Sequence, residues 1–148
     1  MTSWRANLID DGAGLAAILR EAKTVAVLGA KADATKPAYF VPAYLHAQGY
    51  QIRPVNPKIA GRSVHDATAV ARLADLGEPV DVIEIFRRPE ALPDHAREIL
   101  ALPWRPTAVW FQLGIRNDAA AEMLARAGIR VVQNRCMMPE HRRLVASL

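Results

Sequence analysis

The sequence has a single cysteine, Cys136, and no apolar run that approaches the roughly 20 residues of a membrane-spanning helix. One cysteine excludes any disulfide within the chain. The first residues, Met1 to Asp11, lack the apolar core of a secretory signal and include two aspartates, Asp10 and Asp11. These absences lead us to expect a cytosolic protein.

Long basic runs are also missing, although the 148 residues carry a net charge of +4. Lysine and arginine occur singly or in pairs such as Arg87-Arg88 and Arg142-Arg143, and no aromatic residues alternate with them. Proteins that bind nucleic acids usually concentrate their positive charge in a stripe or patch. The scattered charge fits a small polyanionic ligand at least as well, and we expect no nucleic acid partner.

The few histidines do not form a catalytic or metal-binding pattern. None of them has the spacing of metal ligands, and we find no nucleophile placed beside a base. We therefore predict neither a metal site nor catalytic residues. The four histidines are His46, His65, His95 and His141.

What the sequence does contain is an alternation of short apolar runs with helical segments. The run Val25 to Leu28 is continuously apolar, as is typical of a parallel strand buried on both faces. Alternating strands and helices favour an α/β, Rossmann-like fold with helices on both faces of an open parallel sheet. We predict about five strands in the order 3-2-1-4-5 and one domain over residues 1–148. The other predicted strands are 51–55, 80–86, 108–111 and 129–133, and the predicted helices are 11–22, 37–48, 67–76, 89–102 and 119–127.

Ligands of such folds bind at the carboxyl ends of the strands, so the residues just after each strand matter most. Lysine and arginine side chains in these loops can bind phosphates, and amide side chains such as Gln112 and Asn134 can bind a purine edge or another amide. Each loop alone is a weak signal, because a glycine or an Asn-Pro pair after a strand is often only a turn. The five loops begin at Gly29, Asn56, Arg87, Gln112 and Asn134.

The first of these loops departs from the dinucleotide fingerprint. That fingerprint has glycines at its first, third and sixth positions, whereas this chain has Gly29, Lys31 and Ala34 there. The second strand ends in Asn56-Pro57-Lys58 and offers no carboxylate for ribose hydroxyls. A lysine at that point suits a ligand with an extra phosphate on its adenosine ribose, and both NADP and coenzyme A (CoA) carry one.

Taken together, the loop sequences resemble those of the small single-domain CoA-binding proteins, which are similar to the CoA-binding domain of the succinyl-CoA synthetase alpha subunit. The resemblance covers roughly residues 8 to 145. It rests on the ordered combination of Val25–Ala30, Pro54–Lys58, Phe86-Arg87-Arg88-Pro89, Gln112-Leu113-Gly114 and Asn134-Arg135-Cys136.

The resemblance implies a CoA site along the carboxyl edge of the sheet. It implies a pyrophosphate turn over residues 29–34, an adenosine contact from Lys58 and a pantetheine contact from Gln112-Leu113-Gly114. Lys31 departs from the Gly-Ala-Ser pattern that is common in the family. The predicted ligand-binding residues are Gly29, Ala30, Lys31, Ala32, Lys36, Asn56, Pro57, Lys58, Phe86, Arg87, Arg88, Gln112, Gly114, Asn134, Arg135 and Cys136.

Three classes of function remain open at this point, the third being a pure interaction module whose cleft is vestigial. The leading prediction is a cytosolic protein that holds CoA or an acyl-CoA, with no catalytic machinery of its own and with a protein partner or a second copy as further candidates. The alternative is an NADP-binding enzyme or a component of an acyl-CoA ligase. Cys136 is either an inert buried residue or a thiol placed near that of CoA, where oxidation would join the two in a mixed disulfide.

Overall fold

The strands form where apolar residues run almost without interruption. The structure is a computed structural model that describes residues 3–146. Five strands make one parallel sheet, and two short strands form a separate antiparallel hairpin. The α/β, Rossmann-like fold with five parallel strands is therefore confirmed. In chain order the strands are β1 (Thr24–Leu28), β2 (Gln51–Val55), β3 (Ser63–Val64), β4 (Ala67–Thr68), β5 (Val82–Ile85), β6 (Ala108–Phe111) and β7 (Arg130–Val132).

The order of the strands differs from the predicted 3-2-1-4-5. The sheet runs β2-β1-β5-β6-β7, so the third parallel strand, β5, lies beside β1 and not outside β2. The outer edge of β2 is already occupied, because the N–H of Val70 donates to the oxygen of Pro54 and the N–H of Asn56 donates to the oxygen of Val70. Pro54 has no N–H to offer to a further strand, as is usual for an edge position. The fully buried β5 takes the central position instead.

Five helices cover the sheet, and their ends follow local sequence signals. Pro37 begins α2, and the side chain of Asn117 caps α4 by accepting from the N–H of Ala120 at 2.9 Å. The predicted helix over residues 67–76 is wrong, since that segment forms β4 and a 3-10 turn, Leu73–Leu76. The helices are α1 (Gly12–Glu21), α2 (Pro37–Ala47), α3 (Leu92–Leu100), α4 (Asp118–Arg126) and α5 (Met137–His141).

The helices divide between the two faces of the sheet. One face packs against α1, α2 and α5 through residues such as Leu15, Leu45 and Met137. The other packs against α3 and α4 through residues such as Ile99 and Leu124. Strands buried on both faces hold the loops at their carboxyl ends in one row. Within the described chain, no helix is long and apolar enough to cross a membrane.

Candidate functional site

A cleft of about 680 Å³ lies at the carboxyl edge of the sheet, on the face covered by α2 and α5. Its walls come from the start of α2, from α5 and from the loops after β1, β5, β6 and β7. Seven of the sixteen predicted residues line it: Lys31, Lys36, Phe86, Arg87, Arg88, Gln112 and Cys136. The other wall residues are Pro37, Ala38, Phe40, Val41, Pro89, Leu113, Ile115, Met138 and Pro139.

The charged wall residues are all basic. Lys31, Lys36 and Arg88 are exposed, whereas Arg87 is half-buried. The Nε of Arg87 is shielded from solvent and has no hydrogen-bond partner within residues 3–146. Among the described residues that line the cleft, none carries a negative charge. The cleft therefore attracts an anion, and the guanidinium of Arg87 can bind a phosphate through two parallel hydrogen bonds.

One carboxylate does lie in the loop that carries these lysines. Asp33 accepts hydrogen bonds from the N–H and the hydroxyl of Thr35, at 2.9 and 2.7 Å, and so stabilises the turn before α2. Those two bonds, together with the positive charges of Lys36 and Lys31, lower the pKa of Asp33. The ionised side chain offsets part of the positive potential of the loop.

Gly29 is where the loop after β1 packs directly on the loop after β5. Its φ of +93° lies in the region that favours glycine. A Cβ at this position would lie 2.4 Å from the backbone oxygen of Phe86 and 3.3 Å from Nε of Arg87. The N–H of Gly29 donates to Val55 at 2.8 Å, and the N–H groups of Ala30 and Lys31 donate to Val27 and Ala38, both at 3.4 Å. The glycine thus brings two loops together, and its own N–H is already used.

Asn56 joins the loops that follow β1 and β2. Its buried side-chain amide donates to the oxygen of Ala30 at 2.8 Å, and its side-chain oxygen accepts from the N–H of Lys58 at 3.0 Å. The second bond caps the 3-10 turn Pro57–Ile59. Pro57 and Lys58 are exposed on this turn, beyond the wall of the cleft. Both polar ends of the Asn56 side chain are therefore engaged within the protein, and one of them fixes the backbone of Lys58.

Two further asparagines join the loops that follow β5, β6 and β7 at the same carboxyl edge. The side-chain oxygen of Asn134 accepts from the N–H of Gly114 at 2.7 Å, which ties the loop after β7 to that after β6. The side-chain amide of Asn117 donates to the oxygen of Pro89 at 2.9 Å, in the loop after β5. These bonds fix the loops on which the cleft depends. Asn134 and Gly114 are themselves exposed and do not line the cleft.

Arg135 and Cys136 are neighbours in sequence but lie in different surroundings. The guanidinium of Arg135 binds Asp10 at 2.7 Å and Glu140 at 3.5 Å, and the interaction with Asp10 raises its pKa. Arg135 thus anchors the chain before α1 to α5, and it does not line the cleft. Cys136 is half-buried and does line it.

The remaining wall of the cleft is apolar, and except for Leu113 these residues were missed from the sequence. Phe40, Val41, Leu113, Ile115 and Met138 come from three separate segments. Leu113 belongs to the Gln112-Leu113-Gly114 segment, from which the family resemblance implied a pantetheine contact. Next to these apolar residues, Gln112 supplies a polar side chain to the lining of the cleft. It is 5% exposed, and its Oε1 has no hydrogen-bond partner in the described structure.

One buried ionisable side chain lies in β5, the central strand of the sheet. Glu84 on β5 is 0% exposed, and its register places it between Val27 and Trp110. Neither carboxylate oxygen has a hydrogen-bond partner within the chain as described. Burial raises its pKa to about 8, so the carboxyl is largely protonated at neutral pH.

The histidines lie apart from this cleft. His46 binds Asp66 at 2.9 Å, His95 binds Glu98 at 3.2 Å, and Nδ1 of His141 lies 2.9 Å from the hydroxyl of Tyr44. Over residues 3–146, no cluster of three or more His, Cys, Asp or Glu side chains is arranged to hold a metal ion.

Comparison with known proteins relates this architecture to one family. The profile of the family described as "CoA binding domain" matches residues 23–142. The uncharacterized protein YneT of Bacillus subtilis is 32% identical over 124 residues, which cover 84% of this chain and 89% of YneT.

Solved structures agree with that match. The Thermus thermophilus protein cell-free ID.343 is 50% identical, with a TM-score of 0.86 over 91% of this chain and 99% of its own. A hypothetical protein from Pyrococcus horikoshii OT3 is 29% identical, with a TM-score of 0.83 over 92% and 93% of the two chains.

Proposed function

The chain belongs to the CoA-binding domain family, and from that membership and the geometry of the cleft we propose that it binds CoA or an acyl-CoA along the carboxyl edge of its sheet. The observation that carries the proposal is the cleft itself, whose lining combines four cations, one buried amide and otherwise mostly apolar residues. We further propose that residues 1–148 act as one binding domain and that it works in the cytosol.

The diphosphate of CoA fits the basic residues of the cleft. Because the N–H groups of Gly29, Ala30 and Lys31 already have acceptors, side chains contribute more than the backbone of these three residues. Lys31, Lys36, Arg87 and Arg88 are the candidates for these contacts. The loop 32–35 continues the same rim and leads into the amino end of α2, where a helix favours negative charge.

The adenosine end of CoA then extends from the cleft toward β2. Lys58 is exposed on the 3-10 turn after that strand and is held there by Asn56. We assign the 3′-phosphate to Lys58. A charge-assisted hydrogen bond contributes about 1.5–3 kcal/mol, or roughly tenfold or more in affinity.

The pantetheine arm fits the remainder of the lining. The Oε1 of Gln112 is a buried acceptor with no partner among the described residues, and an amide N–H of pantetheine satisfies it. An unpaired buried acceptor is costly, so this contact gives the amide-bearing arm an advantage over an apolar ligand of the same shape.

Calorimetry with CoA and dephospho-CoA tests the proposal. We expect CoA to bind at least about tenfold more tightly, and Lys58→Gln to reduce the affinity for CoA to that for dephospho-CoA. Lys23→Gln is the matched control, because Lys23 is exposed just before β1, at the other end of the strand. Equal affinities for CoA and dephospho-CoA contradict the role of Lys58. Binding of NADP but of neither CoA form contradicts the proposed function.

A further inference from the structure

The described residues include three large apolar side chains that are exposed, and two of them lie on the cleft. Phe40 on α2 is 41% exposed, and Leu113 in the loop after β6 is 64% exposed; the third, Leu8, is 38% exposed and lies elsewhere. Single exposed apolar residues are ordinary on a protein surface. Two that belong to the walls of one cleft suggest that a ligand covers them.

The other hydrophobic residues that line the cleft with Phe40 and Leu113 come from several parts of the chain. Val41, Phe86, Ile115 and Met138 are among them, and they come from four different segments. The basic residues of the cleft come from the loops after β1 and β5, whereas Leu113 and Ile115 come from the loop after β6 and Met138 comes from α5. The cleft therefore combines cations that suit a polyanion with apolar side chains that suit an uncharged hydrocarbon.

Free CoA matches only part of this lining. Its pantetheine arm is polar, with two amides and a hydroxyl, and it ends in a small thiol. The buried polar acceptor facing it is Gln112, and much of the remaining wall offers no group that such an arm can bind. A hydrocarbon chain attached to the thiol would cover the apolar side chains and remove them from water.

We propose that the apolar part of the cleft binds the acyl chain of an acyl-CoA, so that the preferred ligand is the thioester of an uncharged, hydrocarbon acid. This inference rests on the proposed function, because the phosphates of CoA must first bind the basic residues. A volume of about 680 Å³ lies within the range of small-molecule pockets, which favours such a ligand over a flat contact with a second copy of the chain.

The length and charge of the acyl chain provide the first test. Calorimetry with CoA and its acetyl, butyryl, hexanoyl and octanoyl thioesters should show affinity rising by up to about fourfold per methylene until the cleft is full. Succinyl-CoA, which ends in a carboxylate, should bind more weakly than butyryl-CoA, because no partner for that charge lies among the apolar residues.

Two substitutions at exposed positions provide the second test. Phe40→Gln and Leu113→Gln should each reduce the gain per methylene relative to the wild type. Leu8→Gln is the matched control and should behave like the wild type, because Leu8 is similarly exposed but does not line the cleft. Circular dichroism checks that all three variants are folded.

The outcomes separate this inference from the function on which it rests. Tight binding of CoA with no dependence on chain length, or equal binding of succinyl- and butyryl-CoA, overturns the acyl site and leaves CoA binding intact. Failure of CoA and every thioester to bind overturns both. Sedimentation is the check on a second copy: a dimer that Phe40→Gln dissociates, with no chain-length dependence in the wild type, also overturns the acyl site.

Discussion

The side-chain amide of Asn56 donates a hydrogen bond to the backbone oxygen of Ala30 at 2.8 Å, and this contact joins two loops that are 26 residues apart in sequence. The same side chain accepts from the N–H of Lys58. One buried residue therefore sets the position of a candidate phosphate-binding lysine relative to the loop after β1. The role of Asn56 is therefore to position the two loops, not to contact a ligand.

Asn56→Ala should lower the free energy of unfolding by about 1–3 kcal/mol, because it leaves the oxygen of Ala30 without its donor. Affinity for CoA should fall as well, because Lys58 loses its anchored turn. Urea unfolding and calorimetry measure the two effects. Asn134→Gly removes the comparable link to Gly114 at an exposed site, where water replaces the lost partner, so its cost should be smaller. An equal loss for both variants would contradict this account.

Gly29→Ala should destabilise the protein through two separate effects. The φ of +93° strains any residue with a Cβ, and that Cβ would overlap the oxygen of Phe86. Gly61→Ala isolates the first effect, because Gly61 has a φ of +89° and its Cβ would meet nothing within 4 Å among the described atoms. Thermal unfolding should show a loss for Gly29→Ala that exceeds the loss for Gly61→Ala by about 1–3 kcal/mol. Similar losses would mean that the two loops separate easily.

These loops also show how far the sequence alone leads. The strands were predictable because both of their faces are buried, and the loops after them because parallel strands end at one edge. The strand order was not predictable, since it depends on Val70 pairing with Pro54 at the edge of β2, and that segment had been assigned to a helix. No local pattern encodes such a long-range pairing.

The same limit applies to the candidate site. Lys31, Arg87 and Gln112 line the cleft, whereas Asn56 and Arg135, from equally polar loops, bind within the protein. Which side chains turn inward is decided by partners such as Ala30 and Asp10, which are distant in sequence. The apolar wall was missed because a residue such as Phe40 on a helix is normally assigned to the core.

Asp33→Asn should strengthen CoA binding a few fold at low salt. Its carboxylate lies in the same loop as Lys31 and Lys36 and opposes the attraction of phosphates, whereas asparagine keeps the acceptor for Thr35. The gain should diminish as salt is raised, because the group is exposed. Calorimetry at two ionic strengths measures it. Glu78→Gln, at an exposed site before β5, should have no effect, and a gain as large in this control would show only a response to net charge.

Cys136 should form a mixed disulfide with CoA when CoA disulfide is supplied. The Cys136 thiolate attacks one sulfur of the disulfide, one protein–CoA bond forms, and one molecule of CoA leaves as its thiolate. The mass of the protein should rise by that of CoA less two hydrogen atoms. Cys136→Ser gives no adduct. Equally rapid modification by glutathione disulfide would show that the cleft does not direct the reaction.

Glu84→Gln should remove a pH dependence of stability that the wild type shows. Burial raises the pKa of Glu84 to about 8 in the folded state, from an ordinary value of 4.5. Between these values the folded chain retains a proton that the unfolded chain has released, so raising the pH over this interval favours unfolding, by up to about 1.4 kcal/mol per pH unit. Below pH 4.5 both states are protonated and the effect vanishes. Above pH 8 the carboxyl is ionised in both states, and the loss of stability is complete.

The difference between wild type and Glu84→Gln isolates this group, because all the other ionisable groups are common to both chains. Urea unfolding at pH 5, 6, 7 and 8 should show Glu84→Gln gaining stability over the wild type at each step. Parallel pH profiles would mean that Glu84 finds a compensating partner on ionisation. Glutamine nearly matches the protonated carboxyl in shape, so a difference in the free energy of unfolding that is constant with pH reflects packing alone. Only the change of that difference with pH reflects the proton on Glu84.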